Sequence, residues 1–449
     1  MKKNYKELYK QLIQAYYNSH FEESFQQMLE DDFDNLDEAK QILSILCGVD
    51  LISTSDTNFI QDLVDAITQN NVKEKIVQKV RHCESDCESI EGKSKCQTVC
   101  PFDAIIKKNG TEDKWIDESL CMSCGRCVTV CDKGNYLETP QFLPLAHFLK
   151  QEEPIIAIVA PAIAGQFGRE ITLDQLREAL IQVGFKDMIE VAIAADVLSI
   201  KEAFEFDMHV QKEGDFMVTS CCCPMWVAAL RKVYHKLVPD VSPSVSPMIA
   251  MARIIKALNK DAKVVFIGPC IAKKAEAKEK DLIGDVDYVL TFEELQIIFE
   301  ALDIFPKNCI GLPSIDYAST GGRLYARTGG VSKAVWDIVD QLYPEKRKLF
   351  SMLQVDGMKD CKSMLEELEH GNVKASFIEG MGCKGGCVGG PKAIIDATSG
   401  KEAANAVAYD SAIKIPIHSQ VLKELLKRIG ISNIEALKEN HSMFERSFK

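Results

Sequence analysis

Lys263-Val264-Val265-Phe266-Ile267-Gly268-Pro269-Cys270 holds the pattern on which the fold turns. Val264 to Ile267 is a continuous apolar run, as in a strand buried on both faces. It stops at a Gly-Pro pair with a cysteine directly beyond. Two other runs end in the same way. Phe216-Met217-Val218 leads into Thr219-Ser220-Cys221-Cys222-Cys223-Pro224-Met225-Trp226. Ala375-Ser376-Phe377-Ile378 leads into Glu379-Gly380-Met381-Gly382-Cys383-Lys384-Gly385-Gly386-Cys387-Val388-Gly389-Gly390-Pro391. Open α/β sheets bind their ligands just past the carboxyl ends of parallel strands. Ile155 to Ala160, Met188 to Ala194 and Asp287 to Leu290 are further strand candidates, and Leu173, Leu176, Leu180 and Val183 mark a helix. From about residue 138 the chain reads as a two-lobed α/β domain. The Thr139-Pro140 break is its best boundary.

Composition narrows the class. The 449 residues, 46% hydrophobic, are enough for two or three cores. A formal charge of −13 opposes binding to nucleic acid or to an anionic membrane. Seventeen cysteines in a secreted chain would suggest disulfides, but Met1-Lys2-Lys3-Asn4-Tyr5-Lys6 leads into no apolar signal segment. The longest apolar run, Pro154 to Gly165, is about half the roughly 20 residues a membrane helix needs. The expected location is therefore the cytoplasm, where clustered cysteines read as metal ligands.

Residues 1–80 show helical periodicity (Tyr5, Leu8, Leu12, Tyr16; Phe59, Leu63, Ile67) and read as a small helical module without visible chemistry. Their one cysteine, Cys47, reads as a buried thiol. Residues 81–137 hold eight cysteines and too little apolar surface to fold alone, so metal binding has to supply what the core lacks. Residues 138–449 form the third domain. Within the middle segment, Cys121-x2-Cys124-x2-Cys127-x3-Cys131 has the ligand spacing of a bacterial [4Fe–4S] site. Cys83-x3-Cys87-x8-Cys96-x3-Cys100-Pro101 is a looser partner. In such pairs the fourth cysteine of each block ligates the other cluster. One cluster then takes Cys83, Cys87, Cys96 and Cys131, and the other takes Cys100, Cys121, Cys124 and Cys127. Zinc held by four thiolates is the competing reading, but the x2/x2/x3 run suits a cubane better. The segment is a ferredoxin-like electron wire.

In the α/β domain, one cysteine from each of two strand ends plus the Cys383/Cys387 pair makes four thiolates for a third cubane. Gly385, Gly386, Gly389 and Gly390 would let backbone approach a bulky inorganic group. Lys273 brings a positive charge for anionic ligands, and Met381 a soft apolar wall.

These three stretches resemble the three signature motifs of [FeFe]-hydrogenases, in order and with all four ligand cysteines, and the resemblance covers residues 83 to about 425. Asp287-Tyr288-Val289 and Thr328-Gly329-Gly330-Val331 also look like family segments. The resemblance implies a [4Fe–4S] cubane on Cys223, Cys270, Cys383 and Cys387. Cys387 would bridge to a two-iron subcluster with CO, cyanide and a dithiolate amine bridge. Lys273 would hydrogen-bond a cyanide, Pro269 and Met381 would line the subcluster, and Cys222 would pass protons to the bridging amine. The cofactors implied are three [4Fe–4S] clusters and the two-iron unit. H2 and protons would be the substrates, a ferredoxin-type carrier the electron partner, and dedicated maturation proteins the source of the two-iron unit.

Four departures mark a less common subgroup: three consecutive cysteines in the first motif, Gly268 for Met, Gly382 for Ala, and an early close of the third motif at Val388-Gly389-Gly390-Pro391. Cys221 is the extra thiol beside Cys222, and one of the two would cap an open iron site under oxidising conditions.

For proton delivery, Glu202 and Glu205 stand at i, i+3 on one helix face, and their surroundings resemble the family's proton-channel helix. The family's channel serine precedes a proline. Of two Val-Ser-Pro triplets, Ser246 is preferred over Ser242 because a helix-like run follows it directly. His209 takes the place of the channel's outer arginine. Cys309 and Cys361 match no motif and read as structural. The reaction expected is 2H⁺ + 2e⁻ ⇌ H2. The alternative is a non-catalytic redox or hydrogen sensor, or an iron–sulfur assembly factor, on the same scaffold.

Overall fold

The structure, a computed structural model, describes residues 4–51, 59–83, 87, 89–90, 92–108, 110–220, 222–314, 318–439 and 441–448. Cys221 lies outside the described residues, and so does the expectation attached to it.

Four helices open the chain, Tyr5–Tyr17, Phe21–Asp31, Leu36–Cys47 and Phe59–Thr68. The first and third start on asparagine caps: Glu7 N donates to Asn4 and Glu38 N to Asn35, each at 2.9 Å. Their apolar faces do not close on themselves. Leu8, Leu12, Ile42 and Leu46 belong to the same buried cluster as the α/β domain, and the Tyr17 ring stacks on Phe142 at 6.2 Å. Cys47 is fully buried, and burial pushes its thiol well above the ordinary range.

The cysteine-rich segment has little regular structure. Val77–Lys79 pairs antiparallel with Tyr136–Glu138, and Ile105–Lys107 pairs with Lys114–Ile116. Two short helices, Lys95–Thr98 and Arg126–Val130, carry cysteines.

The remainder holds two parallel sheets. We number their strands β1 (Ile155–Val159), β2 (Asp187–Glu190), β3 (Met217–Val218), β4 (Lys263–Gly268), β5 (Tyr288–Thr291), β6 (Met352–Asp356) and β7 (Phe377–Met381). The orders are β5-β4-β1-β2 and β6-β7-β3. Lys263 is in register with Ile155, Val265 with Tyr288, and Phe377 with both Met352 and Met217. All pairs are parallel, so β3, β4 and β7 deliver their cysteine loops to the carboxyl ends of the sheets.

Two elements differ from the sequence reading. The run from Met188 to Ala194 is not one strand. β2 ends at Glu190, and Ala192–His209 is a helix buried on nearly all sides from Ala192 to Phe206. A helix with no exposed face carries no amphipathic period, so its first turn reads like a strand. The other element is β6, which the sequence reading does not contain. As the edge strand of its sheet it is partly exposed, and its Met-Leu-Gln-Val-Asp run has no continuous apolar stretch.

Candidate metal and proton-transfer site

None of the described cysteines is in a disulfide. Those of the middle segment fall into two groups. Around Cys87 stand Cys83, Cys96 and Cys131. Burial, and after it repulsion among these thiols, raises the Cys87 pKa. Asn135 ties the two chain-distant members together: its N–H donates to Cys131 Sγ at 3.4 Å and its Nδ2 to Cys83 Sγ at 3.6 Å. The second group is Cys100, Cys121, Cys124 and Cys127. Burial first and then mutual repulsion raise Cys121, Cys124 and Cys127. Backbone N–H groups of Ala104 and Ser123 point at Cys100 and Cys121, at 3.2 and 3.4 Å.

A third group gathers at the strand ends. Cys223 caps the helix Pro224–Lys232, whose first residue is proline. Cys270 follows β4, Cys383 follows β7, and Cys387 opens a short 3-10 turn. Burial and then repulsion from Cys383 and Cys223 push the Cys270 thiol far up. Cys383 and Cys387 are each pushed up to about 12, by burial and then by neighbouring thiols, Cys223 first among them. Gly382 N donates to Cys223 Sγ at 3.2 Å. Among the described residues no three Cys, His, Asp or Glu side chains converge on a single ion. A tetrahedral ion needs its thiolates about 3.8 Å apart, whereas a cubane holds them wider.

Beside this group lies a small apolar cavity lined by Ala160, Pro161, Cys222, Phe266, Lys273 and Cys387, among others. Lys273 Nζ stands 2.7 Å from Glu276 Oε2, a charge contact without hydrogen-bond geometry, and is buried without a hydrogen-bond partner among the described residues. A buried ammonium left with free donors suits an anionic ligand. This buried ammonium, with one carboxylate beside it and donors to spare on the wall of an apolar cavity bordered by Cys387, fits the cyanide-bearing group that the resemblance implies. Cys222 Sγ contacts Met381 Sδ at 3.5 Å, on the same side. Phe266 occupies the space left by Gly268: a Cβ there would stand 2.5 Å from its ring.

Three of the four glycines after Cys383 are packed against protein backbone. A Cβ on Gly386 would meet Thr328 N at 2.6 Å, one on Gly390 would meet Pro269 O at 2.6 Å, and one on Gly389 would strike the Lys384 carbonyl. Pro269 is thus the wall that the third motif closes on, and its carbonyl accepts from Lys392 N at 3.1 Å. The motif's Glu379 is a cap: it accepts from Gly329 N, Ser332 N and Ser332 Oγ at 2.6–2.8 Å, at the start of helix Gly330–Leu342. Cys361, read as structural, is buried behind Met381, to whose carbonyl its thiol donates at 3.3 Å. Cys309 is also buried.

The acid row is present, with one serine exchanged. Glu202 accepts from Thr219 Oγ1 at 2.7 and 2.9 Å. Glu205 accepts from Ser242 Oγ at 2.6 Å and pairs closely with Lys201. Ser246, the preferred channel serine, instead caps helix Pro247–Leu258, and its Oγ is buried without a hydrogen-bond partner. The helix after it is present, but the Ser246 hydroxyl makes no hydrogen bond to either acid. Lys201 continues to Glu445 Oε1 at 2.8 Å, while His209 is exposed at the helix end, near Asp240. Lys201 and Glu445 are missing from the sequence reading. Lys201 adjoins Glu202 on the same helix, a local signal. Glu445 carries no local signal.

The fold and the cysteine geometry define an iron–sulfur protein of the hydrogenase class. The family described as iron only hydrogenase large subunit, C-terminal domain, matches residues 153–391, just over half of the chain, and a 4Fe-4S binding domain matches residues 114–134. The chain belongs to the iron-only hydrogenase large-subunit family. It is 27% identical to iron hydrogenase 1 of Clostridium pasteurianum, over 76% of this chain and 79% of that protein. It is 28% identical, over 29% of this chain and 27% of that protein, to the cytosolic Fe-S cluster assembly factor NAR1 of Scheffersomyces stipitis. In fold it resembles the [FeFe]-hydrogenase HydA1 of Chlamydomonas reinhardtii, with a TM-score of 0.54, 20% identity, and 65% of this chain and 93% of that one covered. Among the described residues no helix is long and apolar enough to cross a membrane.

Proposed function

We propose that this chain is a catalytic [FeFe]-hydrogenase. The observation that carries this reading is the buried Lys273 ammonium, ion-paired with Glu276 at 2.7 Å, on the wall of a cavity shared by Cys222 and Cys387. When bound, the two-iron group supplies the site at which two protons and two electrons become H2, or the reverse. Cys223, Cys270, Cys383 and Cys387 would hold the cubane, and Lys273 the cyanide. Cys222 would exchange the proton with the bridging amine, because a thiol can both give and take one at modest cost. The proton's further route runs by Glu202 and Thr219 to Glu205 and Ser242. Apolar neighbours such as Phe266 and Ala160 keep bulk water from the cavity. The two middle-segment groups would hold the relay clusters, with a ferredoxin-type carrier as partner and maturation proteins as donors of the two-iron unit. Three domains, 1–80, 81–137 and 138–449, and a cytoplasmic location belong to the same reading.

The similarity to NAR1 favours a second reading, an assembly factor without the two-iron unit. An infrared spectrum of the matured protein separates the two. Intrinsic CO and cyanide bands with H2 evolution support the hydrogenase. Bands absent after maturation alongside a working control hydrogenase would leave the assembly-factor reading.

A further inference from the structure

We infer that Gly125 and Arg126, the two residues between Cys124 and Cys127, form the electron hand-over between the ferredoxin-like segment and the catalytic cysteines, with Arg126 as positioning residue for both sides. The inference rests on the proposed [4Fe–4S] reading of the two cysteine groups.

Two contacts join the groups. Gly125 has φ +73° and lies so close to the Ile271 side chain that a Cβ would strike Cδ1. Ile271 directly follows Cys270. Only a glycine allows the left-handed turn and this approach together. Arg126 Nη2 donates to Gly382 O at 2.6 Å, bridging 256 residues of sequence. Gly382 directly precedes Cys383, and its own N–H donates to Cys223 Sγ. The loop between two thiols of one group thus touches the neighbours of two thiols of the other, Cys270 and Cys383, and through Gly382 a third, Cys223. Cys124, Arg126, Cys270 and Cys383 line one cleft. A short path of covalent bonds closed by one hydrogen bond runs Cys124–Gly125–Arg126–Gly382–Cys383.

The guanidinium also brings a permanent positive charge. It stands in the cleft lined by Cys124, Cys270 and Cys383, so its field reaches both groups. The same field favours the added electron on either cluster. In the transfer, one electron leaves one cluster and reduces the other, with no bond made or broken and no proton moved. A cation between them stabilises both reduced forms and keeps the step near level.

The test uses the full chain reconstituted with [4Fe–4S] clusters alone, titrated potentiometrically and followed by electron paramagnetic resonance. Arg126→Gln keeps hydrogen-bond donors and loses the charge. It is expected to lower the midpoints of both the catalytic cubane and its neighbour, by roughly tenfold in the reduced-to-oxidised ratio at fixed potential, or about 59 mV for one electron. Arg126→Lys keeps the charge and should stay near the parent. The Cys83/Cys87/Cys96/Cys131 cluster serves as internal control. Unmoved midpoints in Arg126→Gln with the parent's iron content overturn the inference. If Arg126→Gln loses iron, Arg126→Lys carries the test, and a drop of both midpoints by about 59 mV there, with the charge kept, overturns it. A parent chain holding about eight irons rather than twelve would instead remove a cubane, and with it the reading underneath.

Discussion

Ser242 Oγ donates to Glu205 Oε2 at 2.6 Å, although 37 residues separate them, while the hydroxyl of Ser246 is buried without a partner. The two serines sit in the same local sequence, Val-Ser-Pro, so only one is positioned to serve the acid row. Ser242→Ala is expected to slow turnover by roughly a hundredfold, the low end of what a positioned proton-transfer group contributes, with CO bands unchanged. Ser246→Ala should leave turnover near the parent's. Equal effects from both would detach Ser242 from the path.

The adjacent thiols Cys222 and Cys223 have different neighbours, Met381 Sδ for the first and Gly382 N–H for the second. Cys223→Ala should lose the catalytic cubane's magnetic signal, because a methyl group cannot ligate iron. Cys222→Ala should keep that signal and the CO bands while H2 evolution falls by roughly two orders of magnitude or more. Loss of the cubane in Cys222→Ala but not in Cys223→Ala would reverse the assignment.

Lys273→Met replaces the buried ammonium by an apolar chain of similar length. Iron analysis before maturation should still give about twelve irons per chain, since no thiol is touched. After maturation the cyanide bands should be weak or absent. Retention of parent-strength bands would show that the cavity holds its group without this charge.

Asp196 is buried and accepts from Ser319 N, Ser319 Oγ and Gly322 N at 2.5–2.9 Å, which favours its charged form. Burial is the larger effect and raises its pKa to about 7. The unfolded chain loses this proton near about 3.9. Between these values the folded state binds more protons, so this group's contribution to stability falls as pH rises from about 4 to about 7, then levels off. Urea midpoints measured across that window should decline less with pH in Asp196→Asn than in the parent. Parallel pH profiles would contradict the raised pKa.

Much of the site was legible because a cluster's ligands are encoded locally. Cysteine spacing and the apolar runs before Cys223, Cys270 and Cys383 report backbone reach and strand direction, which neighbouring residues set by themselves. The buried helix Ala192–His209 and the edge strand β6 were not legible, since neither carries the hydrophobic period that marks its class.

The sequence alone determined which thiols form sets and that three of the cysteine loops follow strands, since both depend on spacing along the chain. Only the tertiary structure decided which serine meets Glu205, that Lys201 reaches Glu445, that the third motif's glycines close on Pro269 and Thr328, and that Arg126 touches Gly382. Each of these contacts joins segments far apart in sequence. Their meeting is set by how two sheets, a cysteine-rich segment and a C-terminal tail pack together, and no local pattern carries that information.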